Sequence, residues 1–327
     1  MYKVRVATTA QELLELRPVW EELITDSGCT VFQNFDLNLL AAKMFARREV
    51  PHVVCVMNGH GIAIIPAVIR LRDAVIRLLG EELFDYRTFL HAGDQEALRT
   101  ALAELAKLKM PLDIIAMRER AIRGACGLSF TPFAGAPVVR CSDTDADQFN
   151  RTHHRLPRNL RRLSAKGYEI RRYHGENPQL LREIYQLKAR QDPKSLFRDP
   201  ERVEFMVNAA LLQPELFEIF TLECEGHLGA ALVTLCDGNI RRLYTGWFAP
   251  DLAKHSPALC LIHHVTCEAL DQGMDCDYMT GEQPYKLRLA TGSHQLYRLR
   301  ATAQELARFS KMEQQIGPLT APGLTSA

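Results

Sequence analysis

"LFEIFTLECEGHLGAALVTL", residues 216–235, reads as two apolar, β-prone runs parted by a glycine-containing turn, the pattern of an antiparallel hairpin. An earlier stretch, "HVVCVMNGHGIAIIPAVIRL" (residues 52–71), has the same form, and Gly59 and Gly226 in the two turns stand 167 positions apart. Leu13 and Leu180 share that offset. They lie on "AQELLELRPVWEELI" and "NPQLLREIYQLKARQ", the helical runs that precede the hairpins. The first run places Leu13, Leu16 and Trp20 on one face, and the second places Leu181, Ile184 and Lys188 similarly.

After the first hairpin come a strand near "ELFDYRTFL", a helix "DQEALRTALAELAKLKM" and a strand "PLDIIAM". After the second come "RRLYTGWF", "SPALCLIHHVTCEALDQGM" and "DCDYMT" in the same order. Shared offset and shared order predict a tandem duplication. The polar junction "RCSDTDADQFNR" (residues 140–151) divides the chain into residues 1–145 and 146–312, and the tail 313–327 is expected to be mobile.

The 327 residues exceed the usual size of one domain, and 47% hydrophobic with 24% charged residues is globular composition. A net charge of +1 argues against a surface coated in nucleic acid. No apolar run is long enough to span a bilayer, and "MYKVRVATTAQELLEL" reads as a strand entering a helix rather than a signal peptide. Nine scattered cysteines without a C-x-x-C pair indicate a reduced, cytoplasmic chain.

Helix, antiparallel hairpin, strand, helix, strand is the order of the GNAT acyltransferase fold. Two such units resemble the Fem-type peptidoglycan aminoacyltransferases and the CelD-like acetyltransferases. The CelD-like resemblance covers nearly the full chain and rests on Ser256-Pro257, Asp277 and the Gly-x-x-x-Tyr-Lys element Gly281 to Lys286; Trp20, "VFQNFD" and "FDYRTFL" fit less specifically. It implies an α/β architecture of two GNAT-like domains, each a mixed sheet flanked by helices. The C-terminal copy would be active and the N-terminal one degenerate, since "RERAIRGACG" follows "PLDIIAM" where a Tyr-Lys element would be needed.

Ser256 suits a helix N-cap and Pro257 the first helical position. The resemblance puts the pyrophosphate of an acyl-CoA, acetyl-CoA first, at that helix start. The usual Gln/Arg-x-x-Gly-x-Gly/Ala loop is absent, which leaves acyl carrier protein and aminoacyl-tRNA open as donors. "RTHHRLPRNLRRLSAKGYEIRR" (residues 151–172) holds eight cations against the single acid Glu169. Leu156, Leu160 and Leu163 recur at helical spacing, so Arg158, Arg161 and Arg162 are free for a phosphate-bearing ligand. The stretch has one Tyr, Tyr168, and no series of aromatics interleaved with its cations, which disfavours tRNA. Cys260, His264 and Cys267 share a helical face, but no fourth ligand accompanies them and no metal is expected.

The same resemblance implies that "DYMTGEQPYK" (residues 277–286) would carry the chemistry, with Asp277 or Glu282 as base toward an amine acceptor, Tyr285 as acid to the leaving thiolate, and Gly281 allowing close backbone approach. Lys286 would pair with donor phosphates or with Glu282. The functional expectation is acyl transfer by direct attack in a ternary complex, in cell-envelope or exopolysaccharide biosynthesis. A Fem-type aminoacyltransferase and a non-catalytic accessory module are the alternatives.

Overall fold

The computed structural model describes residues 2–25, 28–57, 59–93, 95–119 and 128–308. In chain order the strands are β1 (Lys3–Ala7), β2 (Glu49–Pro51), β3 (Val53–Met57), β4 (Gly61–Ile65), β5 (Ala67–Arg70), β6 (Val75–Leu78), β7 (Leu90–Gly93) and β8 (Leu112–Met117). There follow β9 (Phe130–Val139), β10 (Glu169–His174), β11 (Phe217–Cys224), β12 (His227–Asp237), β13 (Ile240–Phe248), β14 (Asp275–Asp277) and β15 (Gly292–Ala301). They form a four-stranded sheet, β1-β3-β4-β7, and an eleven-stranded sheet, β10-β11-β12-β13-β14-β9-β15-β8-β6-β5-β2. Both pack against helices, and the larger sheet is mixed, with parallel pairs β13–β14 and β6–β8 among antiparallel ones. This is the α/β class with mixed sheets that the sequence predicts.

The repeated hairpins are β3–β4 and β11–β12, with Gly59 and Gly226 between their strands. Glu225 and Gly226 both have positive φ, 49° and 79°, so the second turn has the twist that joins antiparallel strands without splaying them. The helix Glu96–Ala106 of the first half and Pro257–Asp271 of the second bury their apolar faces on these sheets. Residues 120–127 and 313–327 lie outside the described part, so the expected mobile tail and most of "RERAIRGACG" do too.

Some local expectations are corrected. The early helix breaks into Ala10–Leu14 and Arg17–Ile24, because Pro18 supplies no N–H to the preceding turn. The segment "ELFDYRTFL" is loop, apart from an isolated bridge of Arg87 to Met117, until β7 begins at Leu90. "DCDYMT" contributes only three strand residues, Asp275–Asp277.

The two halves exchange a strand. β9, which follows β8 of the first half, pairs antiparallel with β14 of the second, Cys276 opposite Val139 and Asp277 opposite Val138. In return β15, from the end of the second half, pairs antiparallel with β8. β9 and β15 also pair with each other over Phe130–Val138, so one sheet runs through both halves. The contact is apolar as well as hydrogen-bonded. Phe84 from the first half packs on Phe205 at 6.1 Å, and Phe45 packs on the same ring at 5.2 Å. A fully buried Phe is worth about 1.5–3 kcal/mol, so these rings outweigh the nearby partly exposed Arg48–Asp199 pair.

Candidate active site

β13 and β14 run side by side only where Ile240 to Arg242 face Asp275 to Asp277. β13 then continues to Phe248, while the segment after β14 turns off at Met279 with a left-handed φ of 63°. The strands part there. A cavity of about 470 Å³ opens between them, with Tyr244 and Thr245 on one wall and Tyr278, Met279 and Thr280 on the other. On that wall β13 bulges: Val233 pairs with Thr245 and Thr234 with Leu243, so Tyr244 has no partner in the β12 register. Such a bulge takes backbone groups out of the ladder and makes them available to a ligand.

Asp277 does not face this cavity. Its carboxylate is buried, paired with the Arg242 guanidinium, and accepts the Tyr86 hydroxyl at 2.7 Å. It also accepts the Met279 N–H at 2.8 Å. All three donors leave no role as a free base; Asp277 holds the left-handed turn at Met279 instead. A non-glycine residue at such φ persists only when its surroundings fix it, and here the carboxylate does.

Lys286 is reached through that turn. It sits on a short helix, Pro284–Leu289, buried, with Nζ donating to the carbonyls of Thr280 at 2.9 Å and Met279 at 3.3 Å. Its expected pairing with Glu282 is not formed. Burial lowers the Lys286 pKa, and the charges of Asp85 and Asp277 offset this in part. An ammonium has three donors, so one N–H remains for a ligand in the cavity it lines.

Glu282 is exposed and lies against Gly135 of β9, outside the cavity lining. The base expected there therefore lacks access to the cleft. Gly281 has φ 109° and donates its N–H to the Gly135 carbonyl at 2.9 Å, so its freedom serves the docking of β9 rather than a ligand. Tyr285 is half-buried and lines the cleft, where burial raises its pKa.

The carboxyl that does line the cleft is Asp85, from the first half. Burial pushes its pKa up to about 6, against the lowering effect of Lys286 and with a further push from Asp277. The sequence reading passed over it as a site residue because it lies in the copy taken as degenerate, although the "FDYRTFL" signal that contains it was visible.

A second cavity, of about 310 Å³, shares Leu259 and Tyr285 with the first. Its walls include His153, Arg155, Ser256 and Arg288. Ser256 starts the helix Pro257–Asp271, with Pro257 in its first turn, but its φ is 51° and its side chain caps nothing. The expected side-chain cap is thus absent, and the first amide groups of that helix are left to an outside acceptor. Arg158, Arg161 and Arg162 are exposed on the helix Arg155–Ser164 and line neither cavity.

Residues 150–287 match the family model described as the acetyltransferase (GNAT) domain. Among solved structures, the chain is similar to the C-terminal domain of a putative lysylphosphatidylglycerol synthetase from Agrobacterium fabrum. The identity is 10%, over 94% of this chain and 96% of that one, with a TM-score of 0.58. FemX is similar at 11% identity over 84% and 92% of the two chains, TM-score 0.55. A tandem GNAT protein from the clavulanic acid biosynthesis pathway is similar at 10% identity over 93% and 99%, TM-score 0.52. No curated protein matches the sequence. Likeness at these identities concerns the fold. Residues 150–287 thus carry a GNAT-fold acyltransferase domain, and the chain as a whole shares the fold of these structures.

Proposed function

We propose that the protein moves an acyl group, acetyl in the simplest case, from a pantetheine thioester such as acetyl-CoA to an amine within a ternary complex. The observation that carries this reading is the parting of β13 from β14, which brings Asp85, Lys286 and Tyr285 to one cavity. Asp85 takes a proton from the acceptor ammonium. The amine nitrogen then attacks the thioester carbonyl carbon, and the free N–H of Lys286 holds the oxygen that becomes negative. As the C–N bond forms and the C–S bond breaks, Tyr285 protonates the departing thiolate.

The second cavity suits the phosphate end of the donor: Arg155 and Arg288 supply charge, and the uncapped helix start supplies amide donors. Tyr285, shared by both cavities, marks the way between them. Residues 1–145 form the degenerate copy and residues 146–312 the active one, joined by the exchanged strands β9 and β15. None of the eight described cysteines is in a disulfide, which supports a cytoplasmic setting, and no described helix is long and apolar enough to cross a membrane.

Thiol release from acetyl-CoA, followed with a panel of polyamines, amino sugars and amino acids, tests the proposal. Amine-dependent release that disappears in Lys286→Met supports it. CoA binding without release from any acyl-CoA tried, with any amine, would leave a binding module instead.

A further inference from the structure

The helix Arg155–Ser164 carries more charge than a small donor needs. Its inner side contributes Arg155, Leu156 and Asn159 to the second cavity, and Leu163 is buried beneath it. Arg158, Arg161 and Arg162 are exposed, and none pairs with a described acid. The same holds for Lys254, and Lys166 meets only His255, at 3.0 Å. His255 is held down by desolvation and then by the nearby charges of Lys166, Lys254 and Arg162, so these cations share one patch. Elsewhere arginines such as Arg48, Arg182 and Arg202 find carboxylates. Like charges gathered without counter-charges repel one another, and a bound polyanion removes that cost.

We infer that this face docks an acidic carrier protein, whose phosphopantetheine arm enters the second cavity and presents its acyl thioester at Tyr285 and Lys286. The inference rests on the acyl-transfer reading and names the donor for it. The arm's thioester C–S bond breaks, the acceptor's C–N bond forms, and the arm leaves as a free thiol carrying the proton from Tyr285. Arg158 and Arg162 stand at i and i+4, about 6 Å apart along one side of the helix, which suits one helix of a partner. Residues 151–166 contain no Phe, Trp or Tyr on which bases could stack, and the chain's net charge of +1 gives no broad field for nucleic acid. A protein partner fits these features better than RNA.

The test compares the same acyl group on CoA and on a purified acyl carrier protein, with a common amine acceptor, at low and high salt. The carrier-borne group should show a KM at least about tenfold lower at low salt, and that advantage should vanish at high salt. In Arg158→Glu/Arg162→Glu, the ratio of kcat/KM for carrier over CoA should fall to about one, with an unchanged melting temperature. Fluorescence anisotropy of labelled holo carrier protein, read without turnover, should show binding to the wild type and none to the double variant. Equal kcat/KM for the two donors, with no carrier binding, overturns the inference and leaves acyl transfer from CoA standing. Carrier binding that is lost in the variant, without turnover of any thioester, keeps the docking face and removes the acyl-transfer reading. An RNA minihelix that displaces the carrier at lower concentration than the carrier itself binds would assign the patch to nucleic acid and overturn the inference.

Discussion

The Tyr86 hydroxyl donates to Asp277 Oδ1 at 2.7 Å, across 191 residues of sequence. This bond ties the loop that bears Asp85 to the strand end that orients Lys286. Arg242 completes the junction, its guanidinium 5.2 Å from the Tyr86 ring centroid and paired with Asp277 and Asp237. Tyr86→Phe removes one hydrogen bond to a charged group and should cost about 1.5–3 kcal/mol in denaturant unfolding. Asp277→Ala also strands part of a buried Arg242, so its cost should be larger, about 3–5 kcal/mol. Asp277→Asn, which keeps the shape, should lower kcat more than it raises KM, since the turn at Met279 loosens. A kcat unchanged in all three would separate the junction from the cleft.

Asp85 gives the pH dependence. As the base it must be ionised, and with its pKa near 6 the kcat/KM profile should fall below about pH 6. In Asp85→Asn that acidic limb should disappear, along with about 10²–10⁴-fold of kcat. Stability has the opposite sense. The folded carboxyl holds its proton to higher pH than the unfolded one, so its contribution is full at low pH and lost as pH rises through about 6. Asp85→Asn should therefore melt no lower than wild type at pH 8, and a sharp loss there would mark Asp85 as structural.

Lys286→Met replaces a buried ammonium by an apolar chain of similar length. If the ammonium holds the oxyanion, kcat should drop about 10²–10³-fold with little change in KM. Burial disfavours the charge, so the melting temperature should stay level or rise. A melting temperature that collapses with KM intact would assign Lys286 to holding the Thr280 turn.

Tyr285→Phe and Glu282→Gln separate the two polar neighbours in "GEQPYK". Tyr285 lines both cavities, so loss of its hydroxyl should lower kcat by about 10²–10⁴-fold at nearly constant KM. Glu282 is exposed beside Gly135, and its amide variant should keep kcat within about twofold and stability within about 0.5 kcal/mol. The reverse pattern in thiol-release kinetics would restore Glu282 as the base.

Much of the fold was legible because it is local. Apolar periodicity marked the helices, and glycine turns marked the hairpins. The strand exchange was not legible. "FTPFAGAPVV" holds two prolines and a glycine, which read as breaks in a strand, yet Pro137 faces Ser293 in the ladder. Partner choice among strands far apart in sequence leaves no periodic mark. The same limit applied to the site. Tyr285 and Lys286 could be read from their neighbours, whereas the place of Asp85 opposite them depends on how the two halves meet.

The exchange also bears on how the chain acquires its structure during synthesis. Arg298 of β15 bonds Asp113 of β8 across 185 residues, so the first half leaves the ribosome without the strand that closes its sheet. Until residue 301 has been made, β8 offers an open row of backbone donors and acceptors, the kind of edge on which nascent chains mispair. The early half must wait for the late one, and a chain cut anywhere between them would leave each piece with a gap that only the other can fill.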